Sequence, residues 1–266
     1  MKKRVLSAII MIVVLLPLLI IGNLPFAILV SILGIGAVYE LLKVRESAKK
    51  IPSVLKIMAY VVTAAFCLYS TDSIEFTTTF DYRVMSVLIF LFLLPLVFIN
   101  DSKKYNIDDA LFILGSVLFI GLTFNLIITI RNYDLNYIIY LLLITILTDT
   151  FALLTGMLIG EHKLASKISP KKTVEGLIGG AIMGTFVATC FYHTVISASV
   201  PLVFLILITL GLSLAGQMGD LVFSAIKRHY DVKDFSELIP GHGGILDRCD
   251  SLIFVVLAFI LVMGII

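Results

Sequence analysis

Charge is what this chain has least of. Asp, Glu, Lys and Arg make up only 14% of its 266 residues, against 60% hydrophobic ones. A soluble domain carries about a quarter charged residues, so the deficit excludes a water-soluble globular protein. Tryptophan is absent, and the three cysteines (Cys67, Cys190 and Cys249) are odd in number with no CxxC spacing. That excludes a disulfide framework and a thiolate zinc site. No polar stretch is long enough to fold alone, and there is no internal repeat or low-complexity tract. A formal net charge of +2 gives no reason to expect a nucleic-acid partner.

What is present is a series of long apolar runs. At about 20 apolar residues per crossing, they predict an all-α integral membrane protein of about nine spans: 5–22, 24–42, 54–70, 84–99, 108–130, 137–159, 174–196, 201–223 and 250–266. The first two are parted only by a turn around Gly22, Asn23 and Pro25. The basic start at Lys2, Lys3 and Arg4 leads into a long run without a small-residue cleavage site, so it reads as a retained helix and not a secretory leader. The reading divides the chain into residues 1–136, about five spans, and 137–266, about four spans with loops at 160–173 and 224–249.

With the N-terminus placed in the cytoplasm, all of the 20 Lys and Arg residues except Arg83 and Arg131 fall on the inner side. This positive-inside bias favours an odd number of spans and a strongly basic cytoplasmic face. The first half reads as chemically quiet, its polar residues confined to short loops. The acidic, Thr-rich segment Thr71–Tyr82 reads as a solvated outer connector.

The second half is different. Asp149 lies inside the sixth span, within roughly 15 Å of the cytoplasmic end near Gly160 at about 1.5 Å per residue. A carboxylate at that depth costs about 2.5–3.5 kcal/mol unless a cavity, cation or hydrogen-bond partner receives it. It is either a structural acid bonded to a neighbouring helix or the wall of a polar cavity. The loop that follows carries Lys163, Lys167, Lys171 and Lys172, which serve topology, phosphate binding or both. If the next helix begins at Lys171, Lys172 and Glu175 share a face at its mouth, where helix N-terminus and lysine attract phosphate.

Further on, Asp220, Ser224 and Lys227 are spaced i, i+4, i+7 on one helical face, with Gly216 and Gly219 permitting close approach. They read as a metal-and-phosphate ladder or as a network closing a helix end. Between Ser224 and Asp250 the chain turns polar: SAIKRHYDVKDFSELIPGHGGILDRCD. Gly241, Gly243 and Gly244 free the backbone to turn and to aim N–H groups at an anion. His242 among them is a hydrogen-bond donor to phosphate or base, or a plain turn residue. Asp247 and Asp250 follow at i,i+3 on one helical face. Carboxylates gather Mg²⁺, which keeps waters and substrate phosphates as its remaining ligands.

The stretch from Ser224 to Asp250 resembles the signature of the phosphatidate cytidylyltransferase (CDP-diacylglycerol synthase) family. Asp149-Thr-Phe-Ala with Gly156 downstream, and Ser169-Pro-Lys-Lys-Thr-x-Glu-Gly176, are similar to the same family. Three positions depart from it: Phe223 stands where the family usually has Glu, Leu153 where an aromatic residue is common, and Cys249 where an aliphatic one is.

The resemblance implies transfer of the cytidylyl group of CTP to phosphatidic acid, in the cytoplasmic membrane, by a homodimer whose site faces the cytoplasm. It assigns Asp220, Asp247, Lys227 and Arg248 to catalysis, and Asp220, Asp247 and Asp250 to Mg²⁺. Whether there are one or two ions, whether Mn²⁺ substitutes, and whether a monovalent cation takes part all stay open. Lys172, Ser224, Arg228, His242, Gly243, Gly244, Asp149 and Glu175 are the expected substrate contacts. A CTP-dependent kinase of a membrane alcohol is the near alternative. The absence of any Asp-Gly pair argues against a CDP-alcohol phosphotransferase, whose motif begins D-x2-D-G. An ion or lipid transporter fits poorly, because transporters place polar residues in two related halves.

Overall fold

The computed structural model describes residues 2–68, 82–99 and 101–263, with side chains from Ser7 in the first helix and Arg83 in the fourth. The expected outer connector Thr71–Tyr82 lies outside those described side chains. The described chain is mostly helical, with its two named strands in one short hairpin, as an all-α membrane protein requires: backbone polar groups in lipid must be satisfied within the segment. Five helices are long and apolar enough to cross a bilayer: Asn23–Glu46, Ile107–Tyr133, Leu135–Ile159, Val174–Ile196 and Leu202–His229. The other expected spans are helical but shorter in their apolar parts: Ser7–Ile21, Ser53–Leu68 and Arg83–Ile99, with Leu246–Val262 last.

The chain forms two compact units. The first comprises residues 1–132 and 234–246. It contains α1 (Lys2–Ile21), α2 (Asn23–Glu46), α3 (Ser53–Leu68), α4 (Tyr82–Leu93), α5 (Pro95–Ile99) and nearly all of α6 (Ile107–Tyr133). The expected turn between the first two spans is there, with Gly22 at φ 68° and Asn23 at φ 48°. A helix end leaves carbonyls without intrahelical donors, and Arg131 supplies them to α1: its Nε donates to Leu19 O at 2.8 Å and its Nη2 to Ile20 O at 2.6 Å. Asn125 does the same for α3, donating to the Phe66 and Cys67 carbonyls at 3.1 Å each. Pro95 lacks the N–H that would continue α4, so the fourth expected span breaks into α4 and α5.

The second unit comprises residues 133–233 and 247–266. It holds α7 (Leu135–Ile159), the antiparallel strands β1 (Lys163–Ala165) and β2 (Ser169–Thr173), α8 (Val174–Phe191) with a π-helical end at Tyr192–Ile196, α9 (Leu202–His229) and most of α10 (Leu246–Val262). Asp134 caps α7 by accepting from Asn136 N at 2.8 Å. α7 and α8 touch backbone to backbone. A Cβ on Gly180 would come within 2.6 Å of the Thr148 carbonyl oxygen and 2.8 Å of Ala152 Cβ, so glycine is required there. Hydroxyl pairs tie α7 to α9: Thr148 with Ser213 at 2.8 Å and Tyr140 with Thr209 at 2.7 Å.

Two expectations about the polar loops need correction. The sixth loop is not a simple lead-in to a helix at Lys171. Pro170 and the extended backbone of Ser169–Thr173 pair with β1, and the helix begins only at Val174. Thr173 caps it, accepting from Gly176 N at 3.1 Å. Lys172 therefore stands on a strand and shares no helix face with Glu175. The loop expected from residue 224 also begins late, because α9 continues to His229. Thus Ser224, Lys227 and Arg228 are helical.

Candidate active site

The acidic site of the second unit is built on α7, α9 and α10, with one lysine from β2. On α9, Asp220 receives the hydroxyl of Ser224 on its Oδ1 at 3.3 Å, one helical turn away as the spacing predicts. Its Oδ2 meets the Nζ of Lys172 at 2.5 Å. The same Nζ reaches the Gln217 carbonyl at 3.4 Å, and Gln217 Nε2 donates to Leu177 O at 3.2 Å. This chain of bonds holds β2, α8 and α9 in register around the Asp220 carboxylate.

Lys227, two turns beyond Asp220, pairs with Asp247 in the first turn of α10 at 2.8 Å. Both side chains are nearly closed off, 13% and 5% exposed. Asp250, one turn further along α10, is half-buried, and its Oδ1 accepts from Ser251 N at 2.8 Å. Asp149 is exposed on α7 and interacts electrostatically with Asp220 and Lys172. The carboxylates of Asp149, Asp220 and Asp250 face one another closely enough to repel. The buried Ser251 hydroxyl faces Asp149.

Four carboxylates thus converge, and direct lysine partners reach two of them, Asp220 and Asp247. Like charges held together outside bulk water are costly unless a cation joins them. The donor set consists of carboxylate and hydroxyl oxygens, which suits a hard divalent cation. Among the described residues, no three Asp, Glu, His or Cys side chains are yet gathered at metal-ligating distance. The two lysine ammonium groups occupy the neighbourhood of the carboxylates instead.

Other expected residues are placed elsewhere. Glu175 turns away from the acids: it accepts from the backbone N–H groups of Glu161 and His162 at 3.2 Å and from His162 Nδ1 at 2.6 Å. Arg228 braces the hairpin, its Nε donating to Ile168 O and its Nη1 to Val232 O, each at 3.2 Å. Arg248 is exposed on the first turn of α10. Phe223, in the family's usual Glu position, is fully buried and meets Phe254 edge-on at 6.3 Å. That position packs the helix pair and adds no charge to the site.

His242, Gly243 and Gly244 belong to the first unit. Gly241 and Gly243 adopt φ 79° and 84°, a region that L side chains rarely enter. The His242 N–H closes the turn onto Ile239 O, and His242 Nδ1 meets Ser7 Oγ at 2.7 Å. The N–H groups just past the glycines do point at an anion, but the anion is the chain's own Glu40. Glu40 accepts from Ile245 N at 2.8 Å, Leu246 N at 2.9 Å and Ser236 Oγ at 2.5 Å. The first half is therefore not chemically quiet. The missed signal was visible: Glu40 is an acid inside an apolar span, which marks a functional position by default.

Fold and site together define a multi-pass helical membrane protein with an acid-rich, lysine-compensated site. A profile of the Cytidylyltransferase family matches residues 2–266. The chain is 38% identical over 262 residues to the phosphatidate cytidylyltransferase of Bacillus subtilis (strain 168), covering 96% of this chain and 94% of that one. It is 37% identical over 256 residues to the enzyme of the same name from Staphylococcus aureus (strain COL), and 36% over 256 residues to that of Staphylococcus saprophyticus, covering 96% of each chain in both comparisons. The chain belongs to the cytidylyltransferase family.

Proposed function

We propose that the chain transfers the cytidylyl group of CTP to phosphatidic acid, giving CDP-diacylglycerol and pyrophosphate for phospholipid synthesis. A phosphate oxygen of phosphatidic acid attacks the α-phosphorus of CTP, and the bond to the β-phosphate oxygen breaks to release pyrophosphate. The attacking oxygen is already ionised, so no general base is needed. The barrier is the mutual repulsion of two anionic substrates together with charge developing on the leaving group. Positioning and electrostatics then carry the catalysis. The convergence of Asp149, Asp220, Asp247 and Asp250 with Lys172 and Lys227 supports this reading best.

Asp220 and Asp247 would hold Mg²⁺, one or two ions, with Asp250, Asp149 and the Ser251 hydroxyl in support; Mn²⁺ could take its place. The ion supplies charge neutralisation to the CTP phosphates. With the carboxylates so engaged, Lys172 and Lys227 would be free to meet substrate phosphates, Lys172 on the lipid side. Arg248, already exposed, adds to the attraction. CTP does not cross a bilayer, so the site opens to the cytoplasm, where the positive-inside count independently places the polar segments around 160–173 and 230–245. The protein acts in the cytoplasmic membrane, and a homodimer is its expected state.

The test is purified protein in detergent with phosphatidic acid, Mg²⁺ and CTP labelled in the α-phosphate, followed by lipid extraction. Cation-dependent label in the organic phase is the expected result. CTP cleaved to CDP with no label in the lipid would overturn it in favour of a lipid kinase. No CTP consumption by folded protein would also overturn it, and would direct attention to transport or to Phe223.

A further inference from the structure

The helix that carries Asp247 and Asp250 begins without a cap of its own. Helix starts favour Ser, Thr, Asp, Asn or Gly just ahead of the first turn, because the first N–H groups have no intrahelical acceptor. α10 begins at Leu246, and the preceding residue is Ile245, which cannot accept a hydrogen bond from its side chain. Glu40 of α2 supplies the missing acceptors from 205 and 206 positions away, one carboxylate oxygen to Ile245 N at 2.8 Å and the other to Leu246 N at 2.9 Å.

Three further features make this a built arrangement. Glu40 is completely buried. Its Oε1 also receives the Ser236 hydroxyl, whose oxygen in turn accepts from Leu238 N at 3.1 Å. Gly244 packs so closely that a Cβ there would come within 2.7 Å of Glu40 Cδ. A negative charge at a helix N-terminus also interacts favourably with the helix dipole. One side chain therefore closes both ends of the 236–246 loop.

We infer that Glu40 is a positioning residue for the proposed transfer reaction: by capping α10 from α2, it fixes the first turn on which Asp247 and Asp250 stand. Glu40 touches no reacting atom in this role. It acts through the helix, and the inference rests on the function proposed above. A shift of about 1 Å in a positioned group can cost roughly 10²-fold in rate, so a frayed first turn reduces turnover while substrate recognition elsewhere persists.

The experiment compares Glu40→Ala and Glu40→Gln with wild type, all full length in lipid nanodiscs. It measures amide hydrogen exchange together with kcat and KM for both substrates. In Glu40→Ala, exchange rises in peptides covering 236–250 and stays unchanged in 144–159 and 174–189. The kcat falls roughly 10- to 100-fold with KM values near wild type, the pattern of a lost transition-state interaction. Glu40→Gln retains one acceptor oxygen and recovers part of both effects.

Wild-type exchange and turnover in Glu40→Ala would overturn the inference. So would a uniform rise in exchange across α7 to α10 with activity lost only in proportion to folded protein, since that marks a packing group. If wild type itself transfers no cytidylyl group, the proposed function falls. The exchange comparison still decides whether Glu40 caps α10.

Discussion

The two units bury acids in opposite ways. In the first, Glu40 and Asp109 are 0% and 1% exposed, and the protein itself completes both. Glu40 has two backbone N–H groups and a hydroxyl. Asp109 has Arg45 at 3.0 Å, Lys49, and the N–H of Asn106 at 3.2 Å, while Asn106 Oδ1 accepts from Asp109 N at 2.9 Å. In the second unit four carboxylates gather around two directly paired lysines, and among the described residues Asp149 and Asp250 have no ion pair. An acid satisfied by its own chain builds structure. Acids crowded together without enough partners await a cation or a ligand. Burial alone does not separate the two cases; completeness of the partner set does.

Changes at the incomplete site should abolish chemistry and spare the fold. The largest effect is expected from Asp247→Asn. Asparagine still offers an oxygen to Lys227, so the nearly buried lysine keeps an acceptor and the protein still folds. Loss of the charge removes the proposed metal ligand, and lipid labelling per folded molecule should drop by about 10²- to 10³-fold, well beyond any change in stability. Near-normal cation-dependent labelling in this variant would sink the metal assignment. Chelation of divalent cations should have a comparable effect, reversed by Mg²⁺ or Mn²⁺. Turnover that survives chelation would mean the lysines alone compensate the four acids.

Lys172→Ala comes next. It should raise KM for phosphatidic acid by about tenfold with a smaller change in kcat, the signature of lost binding shared by ground and transition states. A pure kcat effect would show that Lys172 serves Asp220 and not the lipid. Changes at the complete sites should do the reverse. Asp109→Asn weakens the hold on Arg45 and Lys49, which are 20% and 23% exposed. It should lower stability by about 1–3 kcal/mol, read as a lower melting temperature, with turnover per folded molecule unchanged. A selective loss of turnover there would break the contrast between the units.

Much of the second unit was legible because its signals are local. Asp220 and Ser224 sit one turn apart on a helix, and the spacing alone gave their contact. The run of Lys, Arg, Asp and Gly after a long apolar stretch marked the polar region without any knowledge of packing. Contacts that close over long sequence separations were not legible. Lys172 lies 45 positions from the carbonyl it reaches on α9, and no local period announces that pairing. The strand that carries it was hidden by lysines that look equally at home in a helix. Glu40 was hidden differently: its partners are backbone N–H groups of Ile245 and Leu246, which leave no trace in residue type. Arg228 has the right charge for phosphate, but its guanidinium is engaged by two carbonyls of the hairpin and helix end.

The smallest effect tests whether the contrast is about partner sets or simply about charge near the membrane. Lys104 is basic and follows α5 in a loop that the charge count puts on the cytoplasmic side, as it does the loop carrying Lys172. Its pairing is of a different kind: Asp101 lies at 3.8 Å, and the two side chains are 74% and 40% exposed. An exposed pair at that distance competes with water and salt and contributes about 0–1 kcal/mol. Lys104→Ala should therefore leave the melting temperature, both KM values and kcat within error of wild type. If instead it raised KM for phosphatidic acid as Lys172→Ala should, the lipid would be drawn by the general basic face. The pairing of Lys172 with Asp220 would then have no special place in substrate capture.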